Sequence, residues 1–169
     1  MKNSKTLAVA SDNISSDLAA YPIPIKLNTK LQLVELLNRP VSEIVKVKHI
    51  RKCSPETPIH DAVTLLQTEN VGSVVITDGL KVLGIFTERD FLIKFALKPL
   101  DPKKEPISSF MTKNPICVQR QATIGQVLVS MGTGKFRHII VTDNYQNVES
   151  VLSMKDLVAY LVGSISEVI

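Results

Sequence analysis

Aromatic and sulfur-containing side chains are scarce in this chain. Of its 169 residues none is Trp, only 5% are aromatic, and two are Cys. So few flat rings argue against the base-stacking platforms that single-stranded nucleic-acid binders use. Cys53 and Cys117 are too few and too far apart for a disulfide framework or a metal site. We therefore expect two reduced thiols, no metal site and no base-stacking platform for nucleic acid.

Long apolar runs are also missing. No stretch approaches the roughly 18 apolar residues of a membrane span, and MKNSKTLAVASDNISSDLAAYP at the start lacks the apolar core of a signal peptide. We expect no membrane contact and a cytoplasmic location. Hydrophobic residues make up 44% of the chain and charged residues 21%, which is typical of a soluble globular domain with a real core.

Positive charge is unevenly distributed. The net charge is +4, and residues 1–52 alone hold nine Lys or Arg against four acidic residues. Such a segment favours an acidic partner or nucleic acid. The excess is modest and scattered, so this remains the secondary interpretation.

An internal repeat organises the rest of the chain. In TPIHDAVTLLQTEN, Thr57 is placed as N-cap, Pro58 as the first helical residue, and the apolar residues recur at helical spacing. The segment ATIGQVLVSMGTG repeats that spacing 65 positions later. The runs VGSVVITD (71–78) and FRHIIVTD (136–143) follow at the same offset and are typical of buried strands.

The second half of each copy repeats at an offset of 66, because one hairpin turn is a residue longer. GIFTERD (84–90) corresponds to SVLSMKD (150–156), and an amphipathic helical stripe follows each. Each copy therefore reads strand, helix, strand, strand, helix. KPLDPKKEP (98–106) predicts a linker between them. Upstream, the spacing of Leu31, Val34 and Leu37 predicts a short helix that stops near Pro40.

No catalytic constellation accompanies the repeat. The chain has no GxSxG elbow, P-loop, GxGxxG or HExxH motif, and His49, His60 and His138 lie in unrelated settings. GTGKF (132–136) lacks the spacing of a P-loop, and a glycine-rich helix end explains it better. We do not expect an enzyme.

The duplicated motif has two interpretations. Thr87 and Ser153 are each followed three residues later by an acid, Asp90 and Asp156, which is the signature of a capping box. Alternatively, the hydroxyl would bond a phosphate at the helix N-terminus, and the carboxylate would accept from sugar hydroxyls. The recurrence of the motif at equivalent positions favours a binding role.

Two basic residues at the start of a buried strand also favour a binding role. Arg137 and His138 open the strand of the second copy, where they have little structural purpose, although a solvated face remains the alternative. The first copy has the neutral pair Gly72 and Ser73 at those positions. Of two sites, the one with the cations should hold phosphates more strongly.

These elements, in order and twice, resemble the cystathionine β-synthase (CBS) domain pair, or Bateman module. GIFTERD matches the family's pattern of glycine, two apolar residues, Ser or Thr, any two, and Asp. The segments PVSEIV and PISSFMTKNPICV are similar to its lead-ins, and the resemblance covers roughly residues 41–165. It implies an α+β fold of two tandem βαββα units related by a pseudo-two-fold axis, with packed sheets and helices outside.

The resemblance also implies boundaries and ligands. The expected parts are an N-terminal extension with a short helix, a first unit, a linker and a second unit, at residues 1–40, 41–98, 99–106 and 107–165. Two clefts between the units would bind AMP, ADP, ATP or S-adenosylmethionine, with no cofactor required. The first would join Phe86, Thr87 and Asp90 to Ile116, Arg137 and His138. The second would join Leu152, Ser153 and Asp156 to Ile50, Gly72 and Ser73.

The second copy departs from the family pattern. Ser150 stands where the first copy has the motif's glycine, Gly84, and its larger side chain would crowd a ligand. Together with the neutral pair noted above, this predicts that the cleft of Asp156 is the weaker one.

Two functions from different classes follow. The first is a non-catalytic regulatory module, a homodimer by resemblance, that binds an adenosyl ligand and signals occupancy to an effector protein by conformational change. The alternative is a structural or interaction module with vestigial clefts, whose basic N-terminal segment binds an acidic partner or nucleic acid.

Overall fold

The structure, a computed structural model, describes residues 30–45, 50–79, 81–144 and 147–166. Most of the basic N-terminal segment and His49 lie outside the described residues. The alternative function that rests on this segment therefore stays a prediction.

Five helices are found in the described part of the chain. They are α1 Lys30–Asn38, α2 Ile59–Thr68, α3 Glu88–Asp90, α4 Ile124–Gly134 and α5 Met154–Ser166. A π-helix, Phe91–Phe95, continues α3 directly. Two short 3₁₀ turns, Val41–Glu43 and Ile107–Ser109, lie in the two lead-ins.

Seven strands form two sheets in the described residues. They are β1 Lys52–Cys53, β2 Ser73–Thr77, β3 Val82–Thr87, β4 Thr112–Lys113, β5 Cys117–Gln119, β6 His138–Thr142 and β7 Val148–Ser153. The first sheet has the order β1-β2-β3-β4 and the second β5-β6-β7. Each unit pairs its first two strands in parallel and its hairpin antiparallel.

The two hairpins have the same register. Ser73 lies opposite Thr87 in the first sheet, and His138 lies opposite Ser153 in the second. Each hairpin also has one register shift, between residues 76 and 77 and between residues 141 and 142. The predicted α+β fold of two repeated units is therefore confirmed.

Residues on alternate faces of the strands form different cores, because successive side chains of a strand point to opposite sides. The face between the sheets is apolar and includes Val75, Ile85, Ile140 and Val148. The outer faces pack against the helices in two separate clusters, one per sheet. The sheets thus pack together with the helices outside.

The lead-ins of the two units are exchanged. Val41 N donates to Ala122 O at 2.8 Å, so the first lead-in joins the second unit's core. Ile107 N donates to Thr57 O at 2.8 Å, so the second lead-in joins the first unit's core. Each unit is therefore completed by residues that precede the other unit in the chain.

The predicted first helix exists, but only Leu37 of its apolar stripe packs on a core. Leu31 and Val34 are 65% and 45% exposed, whereas Leu36 is buried and Leu37 packs on the second core. A side chain at Gly125 of α4 would meet Leu37 O at 3.2 Å, so the two helices approach closely there. This close approach, which periodicity alone does not reveal, determines the buried face.

The start of α2 also differs from the prediction. Pro58 is the N-cap, no side chain caps the helix, and Thr57 lies outside it. Instead, Ile59 N donates to Glu105 O and His60 N donates to a carbonyl of the linker, both at 2.9 Å. The linker therefore satisfies the free N–H groups that a capping side chain would otherwise take.

The stripe predicted after GIFTERD is interrupted by the π-helix. Ala96 N donates to Phe91 O, an i to i+5 bond of 2.9 Å. Phe95 is buried, while Leu92 and Ile93 are 65% and 69% exposed. Two apolar side chains of this segment therefore lie on the surface.

Candidate functional site

A cavity of about 390 Å³ lies between the two units. From the first unit it is lined by Thr87 and Asp90, and from the second by Ile116, Arg137 and His138. We call it the Asp90 cleft. Five of the six side chains predicted for the first site thus meet at one cavity, although they come from two different units of the repeat.

Thr87 and Asp90 form a capping box at the edge of this cleft. Asp90 N donates to Thr87 Oγ1 at 3.2 Å, and Thr87 N donates to Asp90 Oδ2 at 3.0 Å. The Thr87 hydroxyl also donates to Asp90 Oδ2 at 2.7 Å. The motif therefore caps α3 and lines a cavity at the same time.

The other carboxylate oxygen of Asp90 is also engaged. Thr112 Oγ1 donates to Asp90 Oδ1 at 3.0 Å, and Lys94 Nζ lies 2.7 Å from the same oxygen. Lys94 Nζ in turn donates to Thr112 Oγ1 at 3.1 Å. A sugar hydroxyl that is to reach Asp90 would have to replace one of these two donors.

Phe86 does not line the cleft, although it was predicted to. Its side chain is fully buried in the outer core of the first sheet. The neighbouring Ile85 lines the cavity instead. Strand alternation puts Ile85 and Thr87 on the inner face and Phe86 on the outer one, so the correct residue could have been found from the period of two.

Two cations of the cleft were missed in the sequence. Arg89 and Lys135 both line it, and Arg89 Nη1 donates to Lys135 O at 3.3 Å. Lys135 is the residue after α4, and its φ of 54° is left-handed, as is common at a helix C-terminus. The available signals were the Arg inside GIFTERD and the Lys of GTGKF, which is a helix end as predicted.

The pKa of His138 lies below its ordinary value. Burial is the main cause that lowers its pKa from the ordinary value of 6.5, and the charge of Arg137 acts in the same direction. Glu88, Asp156 and Asp90 oppose this shift, in that order. His138 therefore interacts electrostatically with the acidic residue of both motifs, Asp90 and Asp156.

A second, larger cavity of about 780 Å³ lies next to the first. Ile50, Gly72 and Ser73 line it from one unit, and Ser153 and Asp156 from the other. We call it the Asp156 cleft. Five of the six side chains predicted for the second site meet here.

The capping box of the Asp156 cleft repeats that of the first. Ser153 N and Ser153 Oγ donate to Asp156 Oδ2 at 2.9 and 2.6 Å, and Asp156 N donates to Ser153 Oγ at 3.2 Å. Leu152, the sixth predicted residue, is buried in the outer core of the second sheet. Val151 lines the cleft in its place, for the same reason of strand alternation.

The Asp156 cleft is not poor in cations, contrary to expectation. Arg51 and Lys155 line it, and so do Arg137 and His138 from the strand that was assigned to the other cleft. Arg51 is also paired with Glu69. The sequence comparison considered only the pair at 72 and 73 and so missed cations that folding brings in from elsewhere.

Ser150 does not crowd this cleft. It is 2% exposed and does not line the larger cavity. In the first copy a side chain on Gly84 would meet Met111 Sδ at 2.3 Å and Thr112 O at 3.0 Å. The glycine therefore makes room for the lead-in that forms β4. In the second copy Ser150, with Leu152 and Asp156, lines a separate, smaller cavity of about 260 Å³.

Neither a metal site nor a membrane helix is found among the residues that the structure describes. Within the described ranges, no group of three or more His, Cys, Asp or Glu side chains is placed to hold a metal ion. No helix in the described ranges is long and apolar enough to span a bilayer. Cys53 is buried, Cys117 is exposed, and both are free thiols.

The chain is a tandem-domain protein. Its two repeated α+β units pack through their sheets, and two adjoining clefts lie between them. The sequence profile of the CBS domain matches residues 41–96 and 107–163, which is more than half of the chain. The chain therefore belongs to the CBS domain family, as its motifs predicted.

Known proteins agree with this assignment. CBS domain-containing protein CBSCBSPB5 of Arabidopsis thaliana is 32% identical over 127 residues, 71% of this chain but only 22% of its own length. The solved CBS-domain protein ATU1752 of Agrobacterium tumefaciens is 31% identical, with a TM-score of 0.65 over 72% of this chain and 97% of that one.

A more distant neighbour was solved with a ligand. CBS domain protein PAE2072 of Pyrobaculum aerophilum, complexed with AMP, is 24% identical, with a TM-score of 0.63 over 69% of this chain and 88% of that one. At this identity the likeness shows a shared fold.

Proposed function

We propose that this chain is a non-catalytic regulatory module that binds an adenine nucleotide, or another adenosyl ligand, in the Asp90 cleft and signals occupancy by conformational change. One observation carries the proposal. Thr87 and Asp90 of the first unit face Ile116, Arg137 and His138 of the second across one cavity. A ligand held there would contact both units at once.

The chemistry of the lining suits such a ligand. Ile116 is 51% exposed and gives an apolar surface for a purine ring. Arg89, Lys135 and Arg137 provide cations for phosphates, which pair well with guanidinium groups. The volume of about 390 Å³ lies within the usual range of small-molecule pockets. AMP bound to the Pyrobaculum aerophilum protein of the same fold supports this class of ligand.

Signalling requires that two conformations bind the ligand with different affinity. The Asp90 cleft draws its side chains from both units, so any change in their relative position alters the ligand's contacts. Occupancy would thereby stabilise one arrangement of the units. An effector protein would respond to that arrangement, and we place both in the cytoplasm, as the sequence predicts.

We further propose that two copies of the chain form a homodimer. Apolar side chains are exposed on the segments after both motifs, with Leu92 and Ile93 in the first unit and Val158, 50% exposed, in the second. Leu97, which follows the π-helix, is 98% exposed. A second copy would cover these equivalent surfaces together. Leu97→Glu should then halve the mass measured by light scattering, and an unchanged mass would contradict this arrangement.

Calorimetric titration with AMP, ADP, ATP and S-adenosylmethionine tests the binding proposal. The wild-type chain should give saturable heat with at least one of them, and Asp90→Ala should remove binding at the Asp90 cleft. Asp61→Ala is the matched control, because Asp61 also lies in the first turn of a helix but lines neither cleft. Absence of heat with all four ligands at about 1 mM, a concentration that detects affinities of about −4 kcal/mol, would refute the proposal.

Asp90→Ala also removes a capping interaction, which costs about 1 kcal/mol of stability. Circular dichroism and urea unfolding should therefore accompany the titration, and Asp90→Asn provides a variant of the same shape. If Asp90→Ala is destabilised but binds like the wild type, Asp90 serves only as a cap.

A further inference from the structure

The two clefts share a wall. Gly72, Glu88, Arg137 and His138 line both the Asp90 cleft and the Asp156 cleft. Gly72 and Arg137 are equivalent positions of the repeat, so the wall lies where the two units come together. The cavities are therefore neighbours in one groove.

The wall is closely packed around Gly72. A side chain added at Gly72 would lie 3.0 Å from His138 Nε2 and 3.7 Å from Glu88 Oε2. Equivalent backbone bonds hold its two sides, since Glu88 N donates to Gly72 O at 3.3 Å and Met154 N donates to Arg137 O at 2.9 Å. The residues that line both clefts are therefore held in contact with one another.

Arg137 is the cation that both clefts would use. Its side chain is exposed, and no ion pair within the described ranges involves it. A guanidinium can hold a phosphate through two parallel hydrogen bonds, but those donors cannot serve a second phosphate at the same time. The carboxylate of Glu88 on the same wall would repel a phosphate from either side.

We propose that the two clefts compete for Arg137, so that a phosphate-bearing adenosyl ligand in one cleft weakens the binding of a phosphate-bearing ligand in the other. This inference rests on the proposed function and adds the Asp156 cleft as a second phosphate site. The coupling should be about tenfold, within the usual range of about 5- to 150-fold, and the same whichever cleft fills first. Adenosine has no phosphate, so its binding should show no such coupling.

Titration of the full-length chain with ATP tests the competition. Asp156→Ala isolates the Asp90 cleft, and Asp90→Ala isolates the Asp156 cleft, with Asp90→Asn as a substitute if the alanine variant does not fold. Each single-cleft variant should bind one ATP. The wild type should bind two, the second about tenfold more weakly than the same cleft binds in isolation. Adenosine should change by less than about twofold in the same comparison.

Arg137→Met identifies the residue responsible. It should weaken ATP binding in both single-cleft variants and reduce the coupling in the otherwise wild-type chain to about twofold or less. Lys103→Met is the matched control, because it removes one positive charge from the exposed linker, outside both clefts. Arg137→Lys should retain part of the affinity, since it keeps the charge but loses the paired donors.

The outcomes separate this inference from the function on which it rests. Absence of heat with every adenosyl ligand refutes both. Two ATP molecules bound with the constants of the isolated clefts, or loss of affinity in only one cleft on Arg137→Met, overturns the competition alone. An Asp156 cleft that binds no ATP in either Asp90 variant also overturns it, while leaving the Asp90 cleft as the nucleotide site.

Discussion

The Asp90 and Asp156 clefts have the same motif and backbone register but different surroundings. Asp90 is held by Lys94 and Thr112 in addition to its capping box. The residue equivalent to Lys94 in the second copy is Tyr160, which donates to Glu43 of the exchanged first lead-in. The two copies therefore share the capping box and the backbone register, but they differ in the residues around it, such as Lys94 and Tyr160. The same motif in both copies does not make the two clefts chemically alike.

The edge of the first sheet explains the glycine of its motif. The lead-in of the second unit pairs with β3 as β4, opposite Gly84. The residues equivalent to β4 in the first lead-in fall within 46–49, outside the described ranges. The glycine of the first motif thus has a structural cause, namely the close approach of Met111.

The largest expected effect concerns Phe86 and Leu152, equivalent residues of the two outer cores. Phe86→Ala should lower the free energy of unfolding by about 3–5 kcal/mol, and Leu152→Ala by about 2–5 kcal/mol, because each leaves a cavity. Urea unfolding measures both. Nucleotide affinity, measured on the folded fraction, should stay within about twofold. If Phe86→Ala instead lost nucleotide affinity strongly and kept its free energy of unfolding, Phe86 would be a ligand-binding residue as predicted from the sequence.

Gly84→Ala should destabilise the first unit by about 1–3 kcal/mol, because the new methyl group would meet Met111 and overpack the edge of the sheet. Ser150→Ala in the second unit has no such clash and should change stability by about 0.5 kcal/mol or less. Thermal unfolding of the two variants compares them directly. Equal losses would show that both positions are equally crowded.

Lys94→Met should lower stability by about 1 kcal/mol, since it removes one of the donors that neutralise the largely buried Asp90. Tyr160→Phe should cost about 0.5 kcal/mol through loss of its bond to Glu43. Urea midpoints at constant m-value provide the comparison. If Tyr160→Phe proves the more costly change, the pairing of Lys94 with Asp90 contributes less to stability than the bond of Tyr160 to Glu43, which would contradict this order of effects.

The smallest effect is a pH dependence carried by His138. Its pKa in the folded chain is lowered from 6.5, chiefly by burial, so the unfolded chain binds more protons just below that pH. The stability that His138 contributes should therefore be present above pH 6.5 and lost as the pH falls through 6.5 towards the lowered value. Urea unfolding at pH 7.5 and 5.5 should show this loss in the wild type and a smaller one in His138→Gln.

A bound phosphate should act against this shift. An anion beside His138 favours the charged imidazolium, so ATP affinity should rise as the pH falls through the same interval. Asp90, Asp156, Glu88 and Arg137 also act on this ring, and all remain in His138→Gln. An identical pH profile of ATP affinity in the variant would show that the imidazole takes no part.

Much of the site was predictable because it rests on local patterns. The capping box depends on a spacing of three residues, and the hairpins on runs of β-branched residues. The errors at Phe86 and Leu152 were avoidable, since strand alternation already places both on the outer face. Arg89 and Lys135 were visible but had no local reason to be selected, because only the fold brings them together.

The sequence by itself determined the repeat, the α+β units, the two capping boxes and the family, because each follows from periodicity and short spacings. Tertiary structure alone decided the exchange of the lead-ins, the contact of Asp90 with Thr112, and the meeting of Arg51 and Arg137 at the Asp156 cleft. These contacts join residues far apart in the chain, so no local pattern reveals them. The wall that places Arg137 between both clefts is a product of tertiary packing.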